Sequence, residues 1–487
     1  MSPGGPWLAR HARLRPDQPA LIFAGRSISY RELEARAVRL AARLNGLGVG
    51  PGDRIAVLHS PDPLFVELIH ALVLLDVVLA PLSTRLAAGE LRPLVEELRP
   101  ALLIHGPSQE RVCADLRRHL PNLSFRTTDS LRDLPEKPTR LAPSPRLDRD
   151  HSILYTSGST GRPKGVRLGL AQHRASAAAS ARRLGTQPGD RWLLCLPLYH
   201  IGGLAVVMRA AIDGMTVVLE PPFDAAAVHE ALWRYDVTHV SLVPTMLDRL
   251  LAEPLGRKGR RFPSSLRTVL LGGGRIPREL IDHALAEGIP AAPSYGMTET
   301  ASQVATLPPR ELARHPDRVG RPLPGVHLRI CDARGRELPP GEAGEIQIQA
   351  PQVMRGYLDR PRETEAALAD GWLHTGDLGR VDPDGYLTVL SRRRDRIVTG
   401  GENVSPAEVE AVLREHPLVR DARVIGHPDR HWGEQVHALI VPVLPARPPR
   451  PEELNAHCRE RLASFKLPRH YRFVTSLPRR TTNKLLD

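Results

Sequence analysis

Hydrophobic residues recur along this chain in two alternating rhythms. In "SISYRELEARAVRLAARLNGLG" Leu33, Ala37, Leu40 and Leu44 return at helical spacing, so one face of the segment is apolar. Ser29 stands at the N-cap with Glu32 three residues later, which predicts a capping box, and Gly46 marks the end of the helix. "RIAVLHS", beginning at Arg54, is an apolar run of strand length. The exchange continues, with "WLLCLPL" and "MTVVLEP" as strands and "AAAVHEALWRY" as a helix. Such alternation predicts an α/β protein with largely parallel sheets flanked by helices. The most apolar stretch, "ALVLLDVVLAPL" from Ala71, is short and contains Asp76, so it predicts a buried helix or strand and not a membrane span.

Around residue 390 the texture changes to the charged, glycine-rich "SRRRDRIVTGGEN". In "SPAEVEAVLREHP", Ser405 is placed to cap, Pro406 to take the first helical position and Glu408 to close a second capping box. "DARVIGH" and "VHALIVPVL" follow as short strands. The organisation expected is a large domain over 1–390, a hinge at 391–395, and a small α+β domain over 396–487. No internal repeat is visible. A Pro-rich charged connector, 133–150, leads into "ILYTSGSTGRPKGV".

Composition narrows the class. A chain of 487 residues that is 41% hydrophobic and 25% charged has the balance of a soluble globular protein. The N-terminal stretch lacks the apolar core of a secretory signal, and four cysteines show no paired spacing, so neither a zinc site nor a disulfide framework is expected. A cytoplasmic location fits. The net charge of +13 and pI near 10.1 invite a nucleic-acid partner. The basic residues are scattered, however, and aromatic content is only 4%, too little for stacking platforms, so none is expected. Of the 67 basic residues only five are lysines: Lys137, Lys164, Lys258, Lys466 and Lys484. Arginine cannot replace lysine where a compact ammonium is required, so a retained lysine is a candidate for chemistry.

Five stretches carry that chemistry. Residues 156–164, "TSGSTGRPK", place hydroxyls, glycines and Lys164 after an apolar lead, which predicts an anion nest. Pro163 before the lysine and Gly165 after it break the Walker A pattern, so this is a phosphate loop of another kind. "LLGGGRIP" ends an apolar run in Gly272, Gly273 and Gly274, where a flat ring could approach the backbone. "PSYGMTET" offers Tyr295 for stacking, two threonine hydroxyls, and Glu299 as a hard oxygen ligand suited to Mg2+. "GWLHTGDLGRVDPDGYL" presents Asp377 in a turn, able to accept both hydroxyls of a ribose. "SRRRDRIVTGGENVSPAEVE" opens at the domain junction. Taken singly, each has an ordinary structural explanation as a turn or solvated loop; their joint order and spacing do not.

Together these motifs, from about residue 15 onward, resemble the acyl-adenylate-forming (AMP-binding) enzymes, which include acyl-CoA synthetases, peptide-synthetase adenylation domains and luciferases. The resemblance implies that Thr156, Ser157, Gly158, Ser159, Thr160, Gly161 and Lys164 hold the β- and γ-phosphates of ATP. It implies adenine between Gly272–Gly274 and Tyr295, the α-phosphate at Thr298, Mg2+ at Glu299, and the ribose at Asp377 and Arg392. Lys484 corresponds to the family's C-terminal lysine, which bridges the substrate carboxylate and ATP, and Gly400, Gly401 and Glu402 lie on the loop brought to the coenzyme A side when the small domain swings. Departures occur at the hinge, where Arg394 stands for the usual Asp, Lys or Ser, and at Ser391 and Asn483.

"LPLYHIGGLAVVMRAAIDGMTVVL" and "SYGMTETASQVATLPP" are similar to one subgroup, the 2-succinylbenzoate–CoA ligases of menaquinone biosynthesis. Its substrate carries a second carboxylate that must be paired if buried. The resemblance assigns this to Arg209, Ser302, Gln303 and Thr306, with His200 at the pocket entrance. The plainer explanation of Arg209 is a surface arginine on a helix. Two alternatives stand beside the subgroup: a CoA ligase for another aryl or alkyl acid, and a basic binding protein that retains the fold without turnover. The expected partners are a small carboxylic acid, ATP and coenzyme A, with no transmembrane segment and with room for a homo-oligomer.

Overall fold

The computed structural model describes residues 7–136, 146–156, 163–253, 262–391, 396–429, 431–445 and 447–477. Two compact units are present: one from the described residues of 1–84, 92–156 and 164–393, the other from those of 85–91, 157–163 and 394–487.

Two of the larger unit's three sheets are the expected parallel ones. In the nine-stranded sheet, six strands run parallel in the order Pro19–Phe23, Thr216–Leu219, Arg191–Leu194, His239–Leu242, Thr268–Leu271 and Ala291–Met297. The seven-stranded sheet has five parallel strands, Asp150–Thr156, Val78–Pro81, Arg54–Leu58, Leu102–His105 and Ser124–Thr127. Strands such as Leu102–His105 and Thr268–Leu271 are buried at every position, as strands covered on both faces must be.

The third sheet departs from the expectation. His327–Cys331, Gly344–Gln349, Leu373–Val381 and Leu387–Ser391 are antiparallel throughout. A parallel return needs a crossover of a dozen or more residues, usually a helix. Between the last two strands the link through Asp382–Gly385, closed by a backbone hydrogen bond, leaves no room for one.

Local signals were mostly obeyed. Tyr30–Gly46 is a helix whose capping box is formed, with Glu32 N–H donating to Ser29 Oγ at 3.2 Å and Ser29 N–H to Glu32 Oε2 at 2.8 Å. The apolar stretch around Asp76 is both a helix and a strand: helix Pro63–Leu75 ends on Asp76 in the left-handed region, φ 57°, and strand Val78–Pro81 begins. Among the described residues no helix is long and apolar enough to cross a membrane.

In the smaller unit, strands Ile397–Thr399, Glu402–Val404, Val419–Asp429, Gly433–Pro442 and His470–Phe473 form one sheet, with helices Pro406–Arg414 and Pro451–Arg459. Ile397, Val409, Leu413, Val424, Ile440 and Leu454 belong to its own core. The second capping box does not form. Ser405 makes no side-chain cap bond, and Glu408 accepts from Lys466 Nζ at 2.7 Å instead. A buried ammonium attracts a carboxylate more strongly than a neutral backbone N–H does.

The first residue of helix Tyr30–Gly46 reaches the segment around Ala210 and Met215 through its hydroxyl. Buried Tyr30 Oη donates to the carbonyls of Ala210, at 3.0 Å, and Met215, at 2.6 Å. Tyr30→Phe keeps the ring and removes the donor to Met215 O, while Ala210 O still accepts from the N–H groups of Gly214 and Met215, so it lowers the larger unit's stability by about 1–2 kcal/mol, read from its denaturant midpoint.

Candidate active site

The phosphate-loop segment joins two antiparallel strands. Asp150–Thr156 pairs with Lys164–Gly169, and Thr156 opposite Lys164 closes the pairing. This agrees with the departure from the Walker pattern, in which a helix would follow. Ser157, Gly158, Ser159, Thr160 and Gly161 lie outside the described residues. Lys164 projects its ammonium over the Tyr357 ring, 5.0 Å from the centroid.

The glycine run and the aromatic sit at the C-terminal ends of neighbouring parallel strands, where open α/β sheets place their ligands. Leu271 is paired with Pro293 across Thr268–Leu271 and Ala291–Met297. A Cβ on Gly272 would lie 3.1 Å from Ser294 O, so the two chain segments come into close approach just before Tyr295. Tyr295 is buried, and its hydroxyl donates to Asp377 Oδ2 at 2.8 Å. The adenine and ribose residues expected from the sequence are therefore joined directly.

Asp377 lies within strand Leu373–Val381, not in a turn as the sequence suggested. The strand pairs irregularly with Gly344–Gln349: Glu345 faces Leu378, whereas Gln347 faces His374. The extra residues between form a bulge, the usual device for re-aiming a side chain out of pleat alternation. Hydrogen bonds hold the bulge in place. Thr375 Oγ1 donates to Ile346 O at 2.6 Å, Gly376 N–H to Glu345 Oε1 at 2.9 Å, and Asp377 N–H to Thr375 Oγ1 at 3.0 Å.

After Met297 the chain turns through Thr298–Thr300 and returns as strand Ser302–Thr306, antiparallel to Ala291–Met297. Ala301 and Ser302 have φ 48° and 103°, conformations that L side chains seldom adopt. Thr300 Oγ1 donates to Met297 O at 3.1 Å and Ser302 O at 3.0 Å, which stiffens the turn from inside. Glu299 Oε1 accepts from Tyr357 Oη at 3.1 Å, so Lys164, Tyr357 and Glu299 form one cluster. No group of three or more potential metal ligands exists among the described residues. A single carboxylate nevertheless fits Mg2+, which is usually held by one or two carboxylates together with phosphates and water.

The residues assigned to the acid fall into separate groups. Gln303 Nε2 donates to Thr306 Oγ1 at 2.9 Å, and Thr306 Oγ1 lies 3.0 Å from Ser294 Oγ, making one polar network beside the half-buried Ser302. His200 stands at the N-cap position of helix Ile201–Asp213, without a side-chain cap bond, and packs edge-on against Tyr199. Arg209 is nine residues on, about two and a half turns and 14 Å along the axis. It is not a surface arginine: it is 2% exposed, its guanidinium lies 5.5 Å from the Trp192 ring centroid, and Nε and Nη2 find no acceptor among the described residues. Burial lowers its pKa to about 10 and raises that of Asp213, one turn on, to about 6, with each group's charge partly opposing the other's shift.

In the smaller unit, Gly400 and Gly401 form the two-residue turn between Ile397–Thr399 and Glu402–Val404, with φ 57° and 83°. Positive φ at both central positions is what this hairpin turn demands. Gly400 N–H donates to Trp432 O at 2.8 Å, and Glu402 is buried. Arg392, Arg394 and Lys484 lie outside the described residues. Tyr357 was missed from the sequence. Its one signal there is that "MRGYL" spends one of only eight tyrosines directly after a glycine.

Comparison with known proteins agrees with this geometry. The AMP-binding enzyme family matches residues 8–358, and the AMP-binding enzyme C-terminal domain matches 408–484. The chain is 41% identical over 480 residues to the 2-succinylbenzoate–CoA ligase of Bacillus licheniformis, covering 99% of this chain and 98% of that one. Among solved structures it is similar to a double mutant of o-succinylbenzoate CoA synthetase (MenE) from Bacillus subtilis bound with its product analogue OSB-NCoA. That likeness has a TM-score of 0.92 and 38% identity over 99% of this chain and 97% of that one. The same Bacillus subtilis enzyme in complex with ATP and magnesium ion matches with a TM-score of 0.76 and 37% identity, over 97% of this chain and 96% of that one. With the motifs, the site geometry and a family match over most of its length in agreement, the chain belongs to the AMP-binding enzyme family.

Proposed function

We propose that this chain is an ATP-dependent 2-succinylbenzoate–CoA ligase of menaquinone biosynthesis, an AMP-forming acid–thiol ligase. The observation that carries the reading is likeness to such a ligase over nearly the whole of both chains. The joined Tyr295–Asp377 pair and the Lys164–Tyr357–Glu299 cluster support it.

The chemistry joins two anions. A carboxylate oxygen of the acid attacks the α-phosphorus of ATP, and pyrophosphate leaves with the electrons of the broken P–O bond. The thiol sulfur of coenzyme A then attacks the acyl carbon, its proton is lost, and AMP departs. Catalysis of the first step is mainly alignment and charge neutralisation. Thr156 to Gly161 and Lys164 hold the β- and γ-phosphates, and Thr298 meets the α-phosphate. Gly272 to Gly274 and Tyr295 hold adenine, while Asp377 and Arg392 accept and donate at the ribose. Mg2+, when bound at Glu299, neutralises phosphate charge. Lys484 bridges the attacking carboxylate and the α-phosphate. Arg394 is the pivot that exchanges Lys484 for the Gly400–Gly401–Glu402 loop on the coenzyme A side. Buried, unpaired cysteines are compatible with a cytoplasmic location.

Arg209 is the pairing partner for the non-reacting carboxylate. A buried guanidinium with two unmet N–H groups calls for an anionic acceptor. His200, Ser302, Gln303 and Thr306 complete the acid side.

The direct test is a panel of carboxylic acids with ATP, Mg2+ and coenzyme A. 2-Succinylbenzoate gives AMP, pyrophosphate and the thioester at the highest kcat/KM; a plain benzoate or fatty acid that outperforms it overturns the substrate and leaves the ligase reading intact. Arg209→Leu raises KM for 2-succinylbenzoate by about ten- to a hundredfold and hardly alters turnover of a 4-aryl-4-oxobutanoate lacking the ring carboxylate. Equal losses on both acids would place Arg209 in the scaffold alone.

The two half-reactions separate in Lys484→Ala. Adenylate formation falls by about a hundred- to a thousandfold, while thioester formation from supplied acyl-adenylate is far less affected. Single-turnover measurement of each half-reaction checks this, and an equal loss in both removes Lys484 from its role.

A further inference from the structure

Tyr357 occupies the two-residue strand Gly356–Tyr357, where it pairs with Val166 of Lys164–Gly169. Its backbone is held on both sides: its own N–H donates to Thr364 Oγ1 at 2.9 Å, and the next N–H, of Leu358, donates to Gly165 O at 2.8 Å. The side chain is buried. Its ring face receives the Lys164 ammonium at 5.0 Å from the centroid, and its hydroxyl donates to Glu299 Oε1 at 3.1 Å. Met354 N–H donates to Glu299 O at 2.8 Å, so the same segment also holds the backbone of the turn. One aromatic residue thus touches the lysine at the stem of the phosphate loop and the carboxylate of the Thr298–Thr300 turn.

A glutamate on so short a turn keeps several rotamers, and fixing one of them costs side-chain entropy whenever a ligand binds. An ionised carboxylate offers about four lone-pair positions. The tyrosine hydroxyl occupies one on Oε1 and so orients the group before any cation arrives. The ring meanwhile favours a Lys164 ammonium held over its face.

We propose that Tyr357 is a positioning residue for ATP and its metal: the hydroxyl presents Glu299 as a metal ligand, and the ring holds Lys164 at the phosphate loop. The inference rests on the roles given to Glu299 and Lys164 in the proposed function. It assigns the two contacts to separable parts of one side chain. Phenylalanine keeps the ring and loses the hydroxyl, and leucine loses both.

The experiment measures ATP affinity of the full chain by calorimetry across a Mg2+ series, without acid or coenzyme A, for the parent, Tyr357→Phe, Tyr357→Leu and Glu299→Gln. Tyr357→Phe needs about three- to tenfold more Mg2+ to reach a given ATP affinity, and its affinity without Mg2+ equals the parent's. Tyr357→Leu shows the same Mg2+ shift plus a loss of about two- to fivefold in ATP affinity that persists without Mg2+. A parental Mg2+ requirement in Tyr357→Phe, alongside a raised one in Glu299→Gln, overturns the inference and leaves the role of Glu299 standing. A parental requirement in Glu299→Gln overturns that role and the inference with it. Equal, Mg2+-independent losses in Tyr357→Phe and Tyr357→Leu reduce Tyr357 to packing and overturn it as well.

Discussion

The turn that follows Tyr295 closes only because residue 296 has no side chain. A Cβ on Gly296 would stand 1.9 Å from Ser302 O and 2.9 Å from Gln303 Cα, inside any contact that backbone atoms tolerate. With that space free, Ser302–Thr306 returns against Ala291–Met297 and Thr298–Thr300 projects from the sheet end. The register then places Tyr295 toward Asp377 and Glu299 toward Tyr357. Ala301 and Ser302 bear the conformational cost, in a part of φ space that is populated where surrounding contacts over-determine the chain.

Around this turn, polar groups are arranged in pairs that are already bonded. Asp377 is bonded to Tyr295, Glu299 to Tyr357, and Thr306 to Gln303. Buried polar groups without partners are costly, so such pairs persist in the absence of ligand and restrict each side chain to few conformations. Preorganisation of this kind lowers the ordering cost of binding a charged nucleotide. Arg209 is the contrast: a buried cation whose Nε and Nη2 remain without acceptors among the described residues. Burial lowers its pKa to about 10, and the Asp213 charge one turn on opposes only part of that shift.

Local signals were legible wherever the competing interactions were also local. The Ser29–Glu32 box formed because nothing stronger reached either group. The matching pattern at Ser405–Glu408 failed because Lys466, 58 residues away in sequence, delivers an ammonium to the same carboxylate. Asp377 was singled out by its motif and expected in a turn, yet its seat in a bulged strand depends on Glu345 and Ile346 of the neighbouring strand, the latter bonded by Thr375 Oγ1. Tyr357 was illegible for the same reason, since its partners at 164 and 299 are far off in the chain.

By itself the sequence determined the alternation of helix and strand, the parallel-rich character of the sheets, and the family resemblance that the motifs carry. These follow from periodicity, turn chemistry and the restricted set of side chains able to hold phosphate, ribose and a hard cation. Tertiary structure alone decided that Arg209 is buried, that the third sheet is antiparallel, and which carboxylate meets which donor. Burial and pairing depend on contacts between segments distant along the chain, and a pattern read a few residues at a time carries no record of what will be packed against it.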